Sequence, residues 1–149
     1  MAADRLLETA KAQADAQVSE RNAREKAELM RQLGMDEGES ATKASRTMIR
    51  QLEEDQKRRS KRALTDAIDR ALIDLLAIYR DVLMVQVGGD GELINTDLAD
   101  LVHEIAQDST PRQTLARVDH IETARKRLVS NGNPLLVLED MAISLRPQA

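Results

Sequence analysis

The strongest constraint on the fold is one apolar, periodic run, Ala63 to Val85 (ALTDAIDRALIDLLAIYRDVLMV). At 3.6 residues per turn, Leu64, Ile68, Ala71, Leu75, Tyr79, Val82 and Leu83 fall on one helix face, with Leu72 and Leu76 on its shoulder. Asp66, Asp69, Arg70, Asp74, Arg80 and Asp81 fill most of the opposite arc and are expected to face water. Ile73, Ala77 and Met84 interrupt that arc, so the helix is expected to touch neighbours on more than one flank, as the middle member of a bundle does. With only six Gly and three Pro among 149 residues, the rest of the chain is equally rich in helix formers, and the predicted class is all-α.

Residues 4 to 33 contain neither Gly nor Pro and predict a continuous helix ending at Gly34. Its large apolar residues are only Leu6, Leu7, Val18, Leu29, Met30 and Leu33, a stripe thin enough that the helix needs a partner to stay folded. It reads as a charged arm. The segment GMDEGESATK at 34–43 reads as a flexible link, giving an arm-plus-link over 1–44 and a helical domain over 45–149. Helical propensity then runs unbroken from about Lys43 to Gln86, a helix of roughly 65 Å at about 1.5 Å per residue. Met48, Ile49, Leu52 and Ala63 lie about half a turn from the Leu64, Ile68 and Leu75 stripe. Supercoil drift of about 20° per heptad does not close that gap. The first half is therefore expected to pack on the arm, or the helix breaks near Ser60.

Three shorter helices follow. Asn95 or Thr96 is expected to cap a helix carrying Leu98, Leu101, Val102, Ile105 and Ala106 toward the core. Thr110-Pro111-Arg112-Gln113 combines an N-cap hydroxyl, Pro at the first helical position and Gln at the capping-box position. The helix it opens runs to about Ser130, with a stripe of Leu115, Val118, Ile121, Leu128 and Val129. Arg125 interrupts that stripe, and if buried it needs a partner. In Asn131-Gly132-Asn133-Pro134, Gly132 is expected to take the left-handed conformation that stops one helix, while Asn133 caps and Pro134 opens the last. That last helix, 134–146, carries Leu135, Leu138, Met141, Ala142 and Leu145 on one face and Leu136 and Ile143 on another. So apolar a terminal helix is either central to the bundle or meets another chain. Arg125 and Glu139 lie at similar distances before and after the corner, so a pair between them is geometrically possible; the alternative is that each reaches water separately.

Several function classes lose support. The basic run Lys57, Arg58, Arg59, Lys61 and Arg62 follows Glu53, Glu54 and Asp55, so Glu53–Lys57, Glu54–Arg58 and Asp55–Arg59 pairs at i,i+4 account for it as a solvated face. The net charge of −4 and a single aromatic residue, Tyr79, leave neither a basic surface nor a stacking platform for nucleic acid. VGGDGE at 87–92 has no Lys-Ser or Lys-Thr after its glycines and reads as a turn, not a phosphate loop. Neither His103 nor His120 follows a Glu by three residues, as an inward-facing di-metal bundle requires. Without Cys there is no thiol nucleophile, disulfide or thiolate metal site. No catalytic residue, metal or cofactor is expected. No run approaches the roughly 18 to 20 apolar residues that span a bilayer, and the chain is expected to be soluble and cytoplasmic.

Two stretches carry a family resemblance. LEEDQKRRSKRALTDAIDRALIDLLAIYRDVL at 52–83 resembles the collar region of actinobacterial DNA polymerase III delta-prime subunits. NGNPLLVLEDMAISL at 131–145 is similar to the closing Asn-x-Asn-Pro-x-Leu-x-Leu-Glu segment of bacterial delta-prime subunits; Asn131, Asn133, Pro134, Leu138 and Glu139 stand at named positions of it, and Leu135 is counted with them as a motif residue. The resemblance covers about 45–146 and implies a collar-like bundle of about five helices with a long central helix and the charged arm in front. It also implies a non-catalytic role: assembling the clamp loader with the gamma/tau and delta collars, in support of sliding-clamp loading. Leu136, Ile143, Met48, Ile49 and Leu52 are the candidate subunit-interface residues. The AAA+ module, the lid domain and the zinc-binding cysteines of complete members are missing, so the chain is expected to be a C-terminal fragment with an artificial Met1. Alternative readings are a free-standing coiled-coil adaptor and the collar of the related gamma/tau subunit.

Overall fold

The run from Ala63 to Val85 forms the second half of one helix, Lys43–Gln86, in the computed structural model, which describes residues 2–34 and 42–147. Among these residues the order is α1 (Ala2–Gln32), α2 (Lys43–Gln86), a 3₁₀ turn (Thr96–Leu98), α3 (Ala99–Gln107), α4 (Pro111–Val129) and α5 (Pro134–Ser144), with no strand. The all-α prediction stands, and α2 does not break near Ser60. The link predicted at 34–43 falls mostly on 35–41, which lie outside the described residues; at its start Gly34 has φ +63°, as a helix stop requires.

The chain divides into two compact units, one formed by 9–67 and the other by 1–8 with 68–149. This division does not coincide with the boundary expected at 44/45, because the later part of α1 packs with the first half of α2. In the 9–67 unit the core is small, Ala14 and Val18 of α1 against Ala63 of α2, with Leu64 at its edge. Polar bonds supplement it: Gln56 Nε2 donates to the Asn22 carbonyl at 2.8 Å, and Arg59 Nη1 reaches Asn22 Oδ1 and Glu25 Oε2, each at 2.9 Å. Of the three i,i+4 pairs expected in the basic run, none forms. Glu53 bonds Lys26 of α1, Arg59 bonds Glu25, and Arg58 takes Asp55 one residue closer, at i,i+3. A carboxylate on the facing helix competes with a neighbour one turn away because both pairings are worth only tenths of a kcal/mol. The buried stripe of α1 is Ala3, Leu7, Ala10, Ala14 and Val18. Reading only large apolar residues misses it, since alanine supplies most of it.

In the larger unit Ile68, Leu72 and Val82 of α2 are fully buried together with Val102 of α3, Ile121 of α4 and Leu138 of α5. Asp81, expected on the wet arc, is 0 % exposed. Its carboxylate accepts the backbone N–H groups of Ile94 at 2.9 Å and Asn95 at 2.8 Å, the Asn95 side-chain amide at 3.1 Å and Arg80 Nη1 at 3.0 Å. The segment after α2 would otherwise leave those donors without acceptors, and a charged acceptor serves several at once. Asn95 is therefore committed to Asp81 and makes no side-chain cap; the chain enters α3 through the 3₁₀ turn instead. The 87–92 segment begins as the expected turn: Gly88, at φ +67°, and Gly89 close α2 through bonds to Val85 O at 3.2 Å and Met84 O at 3.0 Å.

The stripe of α4 differs from the expected one. Thr114, Arg117, Ile121, Ala124 and Leu128 are buried, whereas Leu115 is 51 % and Val129 78 % exposed, with Val118 half-buried. A core threonine is tolerated here because its hydroxyl donates to Gln86 Oε1 at 2.8 Å. The Gln86 amide in turn donates to Ser109 O at 2.9 Å and Ser109 Oγ at 3.1 Å, so one side chain at the end of α2 ties down the α3–α4 junction. The α4 capping box forms as predicted from Thr110 and Gln113.

At the next corner it is Asn131, not Gly132, that takes the left-handed conformation, at φ +62°. Asn tolerates that region better than most residues. Gly132 is needed for a different reason: a Cβ there would stand 2.7 Å from Arg127 O and 2.9 Å from Val137 Cγ2. Asn133 caps α5 as expected, its side chain accepting the Leu136 N–H at 3.2 Å.

Replacing Asp81 with Ala strands two backbone donors and is expected to cost about 2–3 kcal/mol in urea unfolding. Burial by itself raises the Asp81 pKa, but hydrogen bonds from Asn95, Ile94 and Arg80 outweigh it and hold the carboxyl below its ordinary value. A depressed folded-state pKa means stability that is complete above the unfolded-state value and is lost as pH falls through the folded one. The stability gap between wild type and Asp81→Asn is therefore expected to narrow in acid; a gap that is constant from neutral pH to pH about 3 contradicts this account.

Candidate subunit interface

The last helix divides its apolar residues between two surfaces. Val137, Leu138 and Met141 are buried and Leu135, Ala142 and Leu145 half-buried, which is the expected inner face with Val137 added. Leu136 and Ile143 are 63 % and 62 % exposed, two turns apart on one outer arc. Glu139 and Asp140 stand between them, both exposed. Asp140 Oδ2 pairs with Arg127 Nη1 of α4 at 2.6 Å, so a solvent-exposed ion pair crosses from α4 to the middle of this arc. The result is an apolar, acidic, apolar sequence along one outward face.

The backbone holds that face in place. Asn131, Gly132, Asn133 and Pro134 leave no unstructured residue between a helix stop and a helix start, so the direction of α5 is fixed by α4. Of the family-motif residues, Asn131, Asn133 and Pro134 build the corner, Leu138 fills the core and Leu135 lies at its edge. Glu139 belongs to the outer arc.

The Arg125–Glu139 pair does not exist. Arg125 Nε bonds Asp69 Oδ1 at 2.7 Å and its Nη2 reaches Asp69 Oδ2 at 3.3 Å, a two-pronged bond to α2, with Glu122 a further 3.4 Å contact. Asp69 belongs to the predicted wet arc of α2; α4 lies along that arc and turns the aspartate into a partner. The rotation of one helix against another decides such a pairing, and neither residue's position in its own helix reveals it.

The remaining interface candidates lie in the smaller unit. Met48 is exposed, Ile49 and Leu52 are half-buried, and Met48 and Leu52 line an open groove with Leu29 and Gln32 of α1. The groove lies between α1 and the first half of α2, the side to which the half-turn offset assigns these residues.

Residues 41–146 match the family described as DNA polymerase III, delta subunit, C terminal. The chain belongs to that family. It is also similar to DNA polymerase III subunit delta' of Bacillus subtilis (strain 168), with 36 % identity over 72 residues, 48 % of this chain and 22 % of that protein. The similar region thus spans about a fifth of that relative. No solved structure matches. The exposed Leu136 and Ile143 of α5 are among several large apolar residues that the core leaves uncovered, Val129 and Leu115 of α4 being others.

A double-mutant cycle on Arg125→Met and Asp69→Asn is expected to give a coupling of about 1 kcal/mol, since the pair is two-pronged but about one-third exposed. The parallel cycle on Arg125→Met and Glu139→Gln is expected to give none. Coupling confined to the second cycle in thermal or urea unfolding contradicts the geometry.

Proposed function

We propose that this chain is the assembly domain of a clamp-loader delta-prime subunit of DNA polymerase III, of actinobacterial type, acting in the cytoplasm. In this reading residues 45–149 form the collar that joins gamma/tau and delta collars, residues 1–44 are a charged arm, and the chain performs no catalysis itself. The observation that carries it is the outward Leu136 and Ile143 pair on α5, in a chain whose residues 41–146 belong to the delta C-terminal family. Two large aliphatic side chains two turns apart give a partner helix the spacing it needs to lay an apolar face across α5. The Met48, Ile49 and Leu52 patch is a second contact for the same ring. A free-standing adaptor fits less well, because family similarity runs through α2 to α5 and is not confined to a charged coiled-coil segment. Among the described residues no helix is long and apolar enough to cross a membrane.

Changing Leu136 and Ile143 together to Asp tests the reading. As exposed positions they are expected to leave far-ultraviolet circular dichroism intact and to change stability by no more than about 1 kcal/mol. Affinity for purified gamma/tau and delta subunits is expected to fall by about tenfold or more, corresponding to about 1.4 kcal/mol. Loss of thermal stability with the double change makes these residues core and removes the proposal; unchanged affinity in a folded variant moves the interface elsewhere.

A further inference from the structure

Arg117 of α4 is 8 % exposed, yet it forms no hydrogen bond or ion pair with any described residue. A guanidinium with so little contact with water is as a rule paired with an anion or another acceptor. No buried side-chain nitrogen or oxygen among the described residues lacks a partner, so the unbonded nitrogens of Arg117 keep what accessibility the residue has. That accessibility opens into a cavity of about 240 Å³ that Arg117 lines together with Tyr79, Leu101, Ile105, Glu104 and Asp108, and that Leu145 and Pro147 border from the end of α5. The Tyr79 hydroxyl likewise makes no hydrogen bond to a described residue. Its phenol is pushed up in pKa by burial, and the positive charge of Arg117 opposes that push. Glu104 and Asp108 border the same cavity, but neither carboxylate comes within 4.0 Å of the guanidinium.

We propose that this cavity between α2, α3, α4 and the segment after α5 binds a single carboxylate on a short apolar stem, held by the Arg117 guanidinium with the Tyr79 hydroxyl as second donor. The chemistry is that of a glutamate side chain or a small monocarboxylate. A guanidinium presents paired donors that match a carboxylate, and Leu101 and Ile105 give the stem an apolar wall. The volume falls below the roughly 300–1,000 Å³ of pockets that take drug-sized ligands, which suits one side chain and excludes a nucleotide. Glu104 and Asp108 repel a free anion and so keep the site selective for a carboxylate that gains from the apolar wall. The inference is independent of the clamp-loader reading, because it is tested on the chain alone.

Tyr79 is the only aromatic residue in the chain, so tyrosine fluorescence reports on this cavity and nothing else. Titrating the full chain with propionate and with N-acetylglutamate amide, at ionic strength fixed with chloride, is expected to give saturable changes in the millimolar range. Propionamide, lacking the charge, is expected to give none. Binding of both carboxylates identifies a site open to a protein-borne glutamate, and binding of propionate alone identifies a small-monocarboxylate site. A linear response to both, or an equal response to propionamide, overturns the proposal. Arg117→Gln is expected to weaken binding by about tenfold or more with circular dichroism unchanged; undiminished binding in that folded variant also overturns it. If Arg117→Gln does not fold, Asp108→Asn takes its place: removing that exposed acid is expected to tighten carboxylate binding, and no change or a loss counts against the site.

Discussion

Two polar side chains at the end of α2, Asp81 and Gln86, hold the larger unit in register. Asp81 collects the backbone donors of Ile94 and Asn95, and Gln86 collects the carbonyl and hydroxyl of Ser109 and the hydroxyl of Thr114. Between them they fix where the chain leaves α2, where it enters α3 and where α4 begins. Apolar burial between Ile68, Leu72, Val82, Ile121 and Leu138 supplies most of the driving force, but it is indifferent to small rotations of the helices. Directional hydrogen bonds to an otherwise unsatisfied segment are not. Core affinity and core geometry therefore come from different residues, and the two that set the geometry, Asp81 and Gln86, stand five positions apart on one helix.

What can be read from the residues alone is what depends on near neighbours. The helices themselves, the Thr110–Gln113 capping box, the Asn133 cap and the outward position of Leu136 and Ile143 all follow from spacings of a few residues. So does the opposition of the two halves of α2, which needs only its own periodicity. Several of the errors share a cause: periodicity treats a polar residue as wet. Asp81, Thr114 and Arg117 are all buried, the first two satisfied by groups at least 13 residues away in sequence. Arg125 finds Asp69 at a separation of 56 residues. The alanine stripe of α1 was hidden for the converse reason, since residues too small to register as hydrophobic are the ones that permit close helix contact.

The family relationship and the outer arc of α5 bear on each other. A helix of 11 residues with apolar groups on two sides exposes one of them unless something covers it. Glu139 and Asp140 divide that exposed side, and the Arg127–Asp140 pair adds charge at its centre. A face of this kind is poorly suited to indiscriminate association, because any surface that covers the two aliphatic groups must also accommodate the carboxylates. Selectivity of this face is thus written beside its apolar groups and not only in them.

The Asn131–Pro134 corner has a further consequence for how the molecule acquires its shape. Every contact that makes it lies within a handful of residues: Gly132 N–H on Arg127 O, Asn131 N–H on Leu128 O, and the Asn133 side chain on the Leu136 N–H. Closing so short a loop costs little chain entropy, and pairings this local form long before distant segments meet. The α4–α5 hairpin can therefore orient its two helices while the chain from α1 to α3 is still searching, and Asp69 and Gln86 of α2 then dock onto a partner whose angle is already set.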